Sequence, residues 1–307
     1  MDLKRLEYAL EIHRQKSFTK AAEKLHIAQP SLSKQIAKLE QELGVRLFSR
    51  ERGSIEPTAD GHLLIKHAER ILLMRDDLKR EMLERRDGIG GVLKLGSTAI
   101  TGGHVLPALL QRFHRYYPQV RIELVEEPTE VLAEQTAKGL IDLSILTLPL
   151  EDDQLAWKVM LTEPLYLVLP AEETDWMPAY SSGQALTLQH VKDCPFIVLK
   201  RGYGFRRTVL ELCANAGFEP QIMYETSSIE TAQSLVESRL GLTIIPEMVR
   251  RQSAGKPTLH YIPISAEPTR TIVFSYQKDR YLSKNAKTFM EMFEQQQTAL
   301  TFSKQIK

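Results

Sequence analysis

The pattern of apolar and polar positions divides the chain into two parts. In residues 1–57 apolar side chains recur at helical spacing, and residues 58–87 form a charge-rich stretch with a single glycine and no proline. That stretch predicts one long helix. From Val92 onward, short apolar runs alternate with helical patterns, which is typical of an α/β domain. The glycine-rich segment 88–91 between the two parts predicts a flexible hinge.

Seven short apolar runs predict the strands of the α/β part. They lie at 92–96, 120–125, 142–146, 165–169, 196–199, 242–245 and 271–276. Helical patterns between and after them lie at 103–116, 129–138, 204–216, 228–239 and 283–297. Because the strands are almost continuously apolar, the sequence predicts mostly parallel sheets with helices on both faces.

Residues 17–44 predict two short helices joined by a tight turn at 26–28. Ser17 is the expected N-cap of the first helix, and Pro30 is tolerated in the first turn of the second. A 4-3-4 repeat predicts the buried stripe of the second helix, formed by Leu32, Ile36, Leu39 and Leu43. Gly44 is the expected helix end. Two helices with so short a connection form a helix-turn-helix.

The face of the second helix opposite this stripe carries short polar groups and flexible cations. Such a face can enter a major groove, where Gln29, Ser31 and Lys34 would contact base edges and Lys38 would contact phosphate. The alternative is a face that is merely solvated. The expected DNA-binding set is Gln29, Pro30, Ser31, Ser33, Lys34, Lys38, Arg50 and Arg52.

Residues 18–50 carry a specific resemblance. The sequence FTKAAEKLHIAQPSLSKQI, followed by LEQELGVRLFSR, resembles the N-terminal domain of LysR-type transcriptional regulators. Lys34 departs from the arginine that is more frequent in the family, and lysine lacks the bidentate fork of arginine. Residues 45–58 are then expected to form a wing, a two-stranded ribbon in which Arg50 and Arg52 reach phosphate or the minor groove.

The resemblance implies a winged helix-turn-helix at 1–58, a linker helix at 59–87, a hinge at 88–91 and an effector domain at 92–307. The linker pattern places Leu64, Ala68, Ile71, Leu78 and Met82 on a seam that Arg75 interrupts, and such a seam needs a partner. That partner is either the chain's own body or the same helix of a second subunit. The family implies pairing between subunits, in a homodimer or homotetramer.

The effector domain resembles the two-lobed α/β fold of periplasmic binding proteins. We expect the first lobe at 92–162 and 267–300 and the second at 163–266, with crossovers at Glu163-Pro164 and Glu267-Pro268. By resemblance, a small-molecule effector binds between the lobes, where Lys200 or Arg201 would favour a small organic anion. The expected contact residues are Ser97, Thr98, Thr101, Thr129, Lys200, Gly202, Tyr203, Ser227 and Ser228. Serine and threonine at such positions are also ordinary helix caps.

Composition and charge agree with a globular, DNA-binding protein. The chain has 307 residues, 43% of them hydrophobic and 26% charged, and it lacks an apolar run long enough to span a membrane or form a signal sequence. We therefore expect a cytoplasmic protein with no membrane partner. Residues 1–52 carry eleven Lys or Arg against seven Asp or Glu, a net charge of +4, so the remaining residues sum to −3.

Other classes of protein fit the sequence less well. Neither Gly88-Ile89-Gly90-Gly91 nor Gly202-Tyr203-Gly204 completes a dinucleotide fingerprint, and catalytic motifs are missing, so we expect neither an enzyme nor a cofactor nor a metal site. A thiol redox sensor of the same family stays open as an alternative, based on Cys194 and Cys213. A transport protein needs no helix-turn-helix, and an architectural DNA-binding protein needs no cleft.

Overall fold

The computed structural model describes residues 2–51, 54–177, 185–251 and 257–305. Two compact units divide the chain, residues 1–86 and 87–307. Among the described residues, no helix has both the length and the apolar character needed to cross a membrane.

The N-terminal unit is helical with one small ribbon. Its elements are α1 (Leu3–Gln15), α2 (Phe18–Lys24), α3 (Gln29–Leu43), β1 (Phe48–Glu51), β2 (Ser54–Pro57) and α4 (Ala59–Asp87). The predicted caps are confirmed, since the Ser17 side chain accepts a hydrogen bond from the Lys20 N–H at 3.3 Å. Gly44 ends α3 with φ of 73°, a left-handed conformation that favours glycine.

The core of the helix-turn-helix forms as the apolar stripe predicts, with one exception. Leu32, Ile36 and Leu39 are buried, and Leu32 and Ile36 form a cluster with residues of α1 and α2. The prediction for Leu43 is wrong, because this side chain is 41% exposed. Leu43 is the last residue of α3, and helical spacing alone does not reveal where a helix passes beyond its packing partners.

The long helix α4 is capped and anchored at its start. The Thr58 hydroxyl oxygen accepts a hydrogen bond from the Gly61 N–H at 3.0 Å, and the hydroxyl donates to the Arg46 carbonyl at 2.6 Å. Gly61 also lies so close to the Leu47 carbonyl that a Cβ at this position would clash with that oxygen. A glycine is therefore required where the helix meets the wing.

The predicted seam of α4 has two different surroundings. Its N-terminal half packs on α1, where Ala68, Ile65 and Leu72 form a cluster with Leu6 and Leu10, and Leu64 and Ile71 pack against it. The remaining seam residues, Leu78 and Met82, are 56% and 55% exposed. The first half of the seam is thus covered within the N-terminal unit, and the second half presents apolar side chains to solvent.

The second unit is an α/β fold with a mixed sheet. Its strands are β3 (Gly91–Ser97), β4 (Val120–Glu126), β5 (Leu143–Thr147), β6 (Leu155–Pro170), β7 (Pro195–Leu199), β8 (Gln221–Thr226), β9 (Thr243–Pro246), β10 (Leu259–Pro263) and β11 (Thr269–Gln277). Its helices are α5 (Ala99–Tyr116), α6 (Thr129–Ala137), α7 (Gly204–Asn215), α8 (Ile229–Glu237) and α9 (Lys284–Gln305).

The expectation of mostly parallel sheets is wrong. The large sheet has the order β10-β6-β11-β5-β3-β4 with β9 also on β6. Of the strand pairs that the described residues form in it, β3–β4 and β3–β5 are parallel and the others are antiparallel. The smaller sheet is the parallel pair β7–β8. The antiparallel strands β6 and β11 are as apolar as buried parallel strands, so composition could not distinguish them.

Two long strands connect two hydrophobic cores. β6 pairs with β11 as far as Pro164 and with β9 from Leu165 onward. One core contains Phe113, Phe274 and Phe289 from α5, β11 and α9. The other contains Phe196 and Ile245 together with the helices α7 and α8. We call the halves built on these cores the first and second lobes.

Candidate nucleic-acid interface and effector cleft

The outward face of α3 carries most of the predicted DNA-binding residues. Pro30, Ser31, Lys34 and Lys38 are exposed, while Gln29 and Ser33 are half-buried. The Gln29 amide nitrogen donates a hydrogen bond to the Ser33 hydroxyl at 2.8 Å. The buried stripe on the opposite side fixes the rotation of the helix, so this polar face is presented to solvent as a unit.

The wing is held against α3 by a residue that the sequence analysis missed. The Glu40 carboxylate accepts hydrogen bonds from the backbone N–H groups of Leu47 at 2.7 Å and Phe48 at 3.4 Å. Leu47 is buried, and Phe48 and Ile55 pack on the helical core. These contacts set the position of the ribbon relative to α3.

The structure describes the backbone of one wing arginine, Arg50, but not the other, Arg52. Arg50 lies on β1, paired with Ile55 of β2. Arg52 and the Arg50 side chain fall outside the part of the chain that the structure describes. Their expected phosphate contacts stay predictions.

A second missed residue, Arg5, joins α1 to α3. Its Nε donates to the Gln35 Oε1 at 3.2 Å, and its Nη1 donates to the Glu42 Oε2 at 2.8 Å. The Arg5 side chain is 23% exposed. Gln35 and Glu42 lie seven residues apart on one side of α3, so a single guanidinium fixes two turns of this helix.

In the first lobe, three of the predicted effector residues meet where β3 leads into α5. Ser97 and Thr101 are buried, and the Thr98 hydroxyl donates to the Thr101 hydroxyl at 3.4 Å. Thr98 occupies the N-cap position of α5 but makes no side-chain capping hydrogen bond. The Thr98 hydroxyl is therefore not used for helix capping, and the Ser97 hydroxyl donates to the Thr98 carbonyl at 3.1 Å.

Two hydrogen bonds join the lobes. The Thr129 Oγ1 accepts a hydrogen bond from the Gly204 N–H at 3.0 Å. The Glu130 N–H donates to the Gly202 carbonyl at 3.2 Å. Gly202 has φ of 90°, and a Cβ on Gly204 would lie 3.2 Å from the Thr129 side chain, so both glycines serve this close approach.

Arg207 adds a side-chain connection to the same region. It donates to the Pro149 carbonyl at 2.6 Å and forms an ion pair with Glu151, both in the first lobe. Its Nε is buried without a hydrogen-bond partner. We call the contacts of Thr129, Glu130 and Arg207 with the opposite lobe the inter-lobe clasp.

The other predicted effector residues lie in the second lobe, where Lys200 and Ser227 follow the paired strands β7 and β8, and the Lys200 N–H donates to the Thr226 carbonyl at 2.9 Å. Lys200 and Ser227 are exposed, and Tyr203 packs on the core of the second lobe. Ser228 is the N-cap of α8, where its hydroxyl oxygen accepts from the Thr231 N–H at 3.2 Å. The helix-cap interpretation is confirmed for Ser228.

A buried ion pair lies where the two long strands pass between the lobes. Glu163 and Arg270 are register partners on β6 and β11, and the Arg270 Nε donates to the Glu163 carboxylate at 2.8 Å. The Arg270 side chain is 2% exposed, and burial lowers its pKa, against the opposing effect of Glu163. Its guanidinium lies 5.2 Å from the ring centre of Phe205 on α7, so it contacts the second lobe as well.

The two thiols lie in the interior. Cys213 is fully buried among apolar residues, and burial raises its pKa to about 12. Cys194 is also buried, and burial raises its pKa, followed by the charge of Asp193. Redox-sensing cysteines need accessible thiolates, whereas both thiols here are buried and burial opposes their ionisation.

The described part of the chain contains no cluster of three or more metal-ligating residues.

Comparison with known proteins matches both units. Residues 3–62 match the family model described as bacterial regulatory helix-turn-helix protein, lysR family, and residues 86–298 match the LysR substrate binding domain. The uncharacterized HTH-type transcriptional regulator YcgK of Bacillus subtilis strain 168 is 49% identical over 305 residues, which cover 95% of this chain and 94% of that protein.

Solved structures share the fold over almost the whole chain. Full-length OxyR of Pseudomonas aeruginosa, in a variant with one cysteine replaced by aspartate, has a TM-score of 0.69 at 26% identity. The match covers 95% of this chain and 97% of the OxyR chain. Full-length CbnR in complex with its target DNA has a TM-score of 0.65 at 23% identity, covering 96% and 99%.

Proposed function

Because the chain belongs to the LysR family of transcriptional regulators, we propose that its N-terminal unit binds an operator sequence through the outward face of α3 and through the wing. The observation that carries this proposal is the exposed set Ser31, Lys34 and Lys38 on a helix whose opposite stripe is buried. Short polar groups near a helix N-terminus suit base edges in a major groove, and the cations suit phosphate. CbnR, which shares the fold, has been solved with its target DNA.

Selection from a random duplex library tests this proposal. The full chain should enrich a defined sequence, and Ser31→Ala or Lys34→Ala should relax its base preference. Arg50→Ala should instead weaken binding to all duplexes about equally and lower the salt dependence. If Arg50→Ala changed only the preferred sequence, the proposed phosphate role of the wing would be wrong.

A small organic anion is the proposed effector, bound between the lobes. The Glu130 and Gly204 N–H groups lie at the starts of α6 and α7, where backbone amides favour negative charge. Arg207, in the first turn of α7, adds a positive charge that contacts the first lobe at Pro149 and Glu151. In the clasp these donors are satisfied by the protein itself. The effector would replace the clasp contacts, so the spacing of the lobes would depend on whether ligand is bound.

Thermal-shift screening of the full chain tests the effector proposal. Small carboxylic acids should raise the melting temperature more than their neutral amides, since a ligand that binds only the folded state stabilises it. Arg207→Ala should reduce that response. Equal shifts with acids and amides would contradict an anionic effector.

We propose that the functional division follows residues 1–58, 59–87, 88–91 and 92–307, and that the exposed apolar residues Leu78 and Met82 of α4 pair with a second subunit. Two operator-binding units in a dimer strengthen binding to an inverted repeat. The protein is proposed to act in the cytoplasm by binding and not by catalysis.

A further inference from the structure

The contact between Arg5 and Gln35 has a consequence for base recognition. A guanidinium carries five N–H donors and no acceptor. The Gln35 atom that faces Arg5 must therefore be the amide oxygen, and the NH2 group of Gln35 must point to the other side. Most glutamine amides can be placed either way round, but here the chemistry of the neighbour fixes the orientation.

Another glutamine of α3, Gln29, shows the opposite case. Gln29 is hydrogen-bonded to the Ser33 hydroxyl, and a hydroxyl can donate or accept. The Gln29 amide can therefore reverse without losing its partner. Of these two glutamines, Gln35 is the one whose hydrogen-bonding polarity is set by the protein.

Gln35 lies at the border of the proposed DNA-binding face. It is half-buried, one helical turn after Ser31 and one turn before Lys38, both of which are exposed. Residues at these spacings are neighbours on a helix surface. Arg5 lies on the α1 side of Gln35, so the NH2 group is directed away from α1 and toward the exposed row.

We propose that Arg5 is a positioning residue that makes Gln35 a hydrogen-bond donor toward the duplex. As a donor, Gln35 selects a base that has acceptors on its major-groove edge, and guanine fits best. This inference rests on the proposed operator binding. Guanine presents O6 and N7 as acceptors, whereas a bidentate contact with adenine requires the glutamine oxygen to accept from N6. Arg5 holds that oxygen on the α1 side, away from the exposed row, and therefore disfavours adenine.

The test is duplex selection with the full chain and three variants. The natural chain should enrich guanine at one position of each half-site. Arg5→Ala frees the amide, and the preference for guanine over adenine at that position should fall about tenfold. Arg5→Lys, also a donor-only side chain, should keep more of this preference than Arg5→Ala. Gln35→Glu keeps the contact with Arg5 but offers only acceptors, so cytosine, whose N4 is a donor, should replace guanine.

Arg14→Ala is the matched control, because it removes a 60% exposed cation from the same helix α1 without touching α3. It should leave the selected sequence unchanged. If Arg5→Ala selects the same bases as the natural chain at every position, the inference is overturned. If Arg5→Ala does not fold, the Gln35→Glu variant decides: cytosine enrichment supports the inference, and retained guanine overturns it. A natural chain that enriches no sequence at all would instead defeat the proposed function.

Discussion

The hydroxyl oxygen of Thr129 accepts a hydrogen bond from the backbone N–H of Gly204, so that one lobe supplies the acceptor for an amide of the other. The reverse contact, from the Glu130 N–H to the Gly202 carbonyl, lies beside it. The two lobes are thus joined by groups that would otherwise be available to a ligand. Binding and lobe movement are coupled if a ligand must take over these hydrogen bonds.

Replacing Thr129 with valine should loosen the clasp. Valine keeps the shape of the side chain but cannot accept the Gly204 N–H, and a typical hydrogen bond contributes about 1 kcal/mol. Amide hydrogen exchange over residues 202–206 should therefore be about fivefold faster than in the natural chain. Thr231→Val, at an exposed helix position, is the control and should leave this segment unchanged. Equal protection in both variants would show that the contact does not hold the lobes.

The buried pair of Glu163 and Arg270 should be sensitive to the loss of either partner alone. Glu163→Gln leaves the buried Arg270 charge uncompensated, and Arg270→Met leaves the buried Glu163 carboxylate without its cation. Breaking a buried pair in this way lowers the free energy of unfolding by about 3–5 kcal/mol. The double variant should lose less than the sum of the two single variants. Denaturant unfolding of all four proteins measures this coupling. Additive losses would mean that the two side chains do not interact energetically.

Alanine at Gly61 should destabilise the N-terminal unit. The added Cβ would clash with the Leu47 carbonyl, which is backbone and cannot swing away. A loss of about 2 kcal/mol or more is expected, at the upper end of ordinary single substitutions. Gly103→Ala is the opposite case, since Gly103 lies in α5 with open space around it. That variant should be neutral or stabilised by up to about 1 kcal/mol in thermal or denaturant unfolding.

The thiols should be unreactive in the native protein. With the pKa of Cys213 raised to about 12, about one thiol in ten thousand is ionised at pH 8. A thiol-specific disulfide reagent should label neither cysteine at pH 8 until denaturant is added. The raised pKa also means that the stability contributed by the neutral thiol is present below about pH 9 and is lost as the pH rises toward 12.

A Cys194→Ser, Cys213→Ser double variant provides the functional control. It should bind DNA as the natural chain does, with or without peroxide. A peroxide response that disappears in this variant would revive the redox alternative.

Local patterns in the sequence predicted local structure well. The Ser17 cap, the Gly44 helix end and the stripe Leu32, Ile36 and Leu39 depend on neighbours within a few residues, and all are confirmed. The strands β8 and β10 were not predicted from the sequence. β8 has a run of only three apolar residues, Ile222, Met223 and Tyr224, and all three are exposed in the structure.

The missed functional contacts are of another kind. Arg5 and Gln35 are 30 residues apart in sequence, and Thr129 and Gly204 are 75 apart. Only the folded arrangement of α1 on α3, or of one lobe on the other, brings such pairs together. A polar residue at either position has no local signature of its partner, so spacing along the chain could not have identified the pair.

The most direct test of the account is the ratio of two affinities, for the duplex selected by the full chain and for a scrambled duplex of the same composition, measured at one fixed salt concentration. Specific regulators bind their sites about a thousandfold or more tightly than other DNA. The natural chain should give a ratio of that order, and Ser31→Ala and Lys34→Ala should each lower the ratio through weaker binding to the selected duplex. A ratio near one for the natural chain, or a ratio that neither substitution changes, would contradict recognition by the outward face of α3.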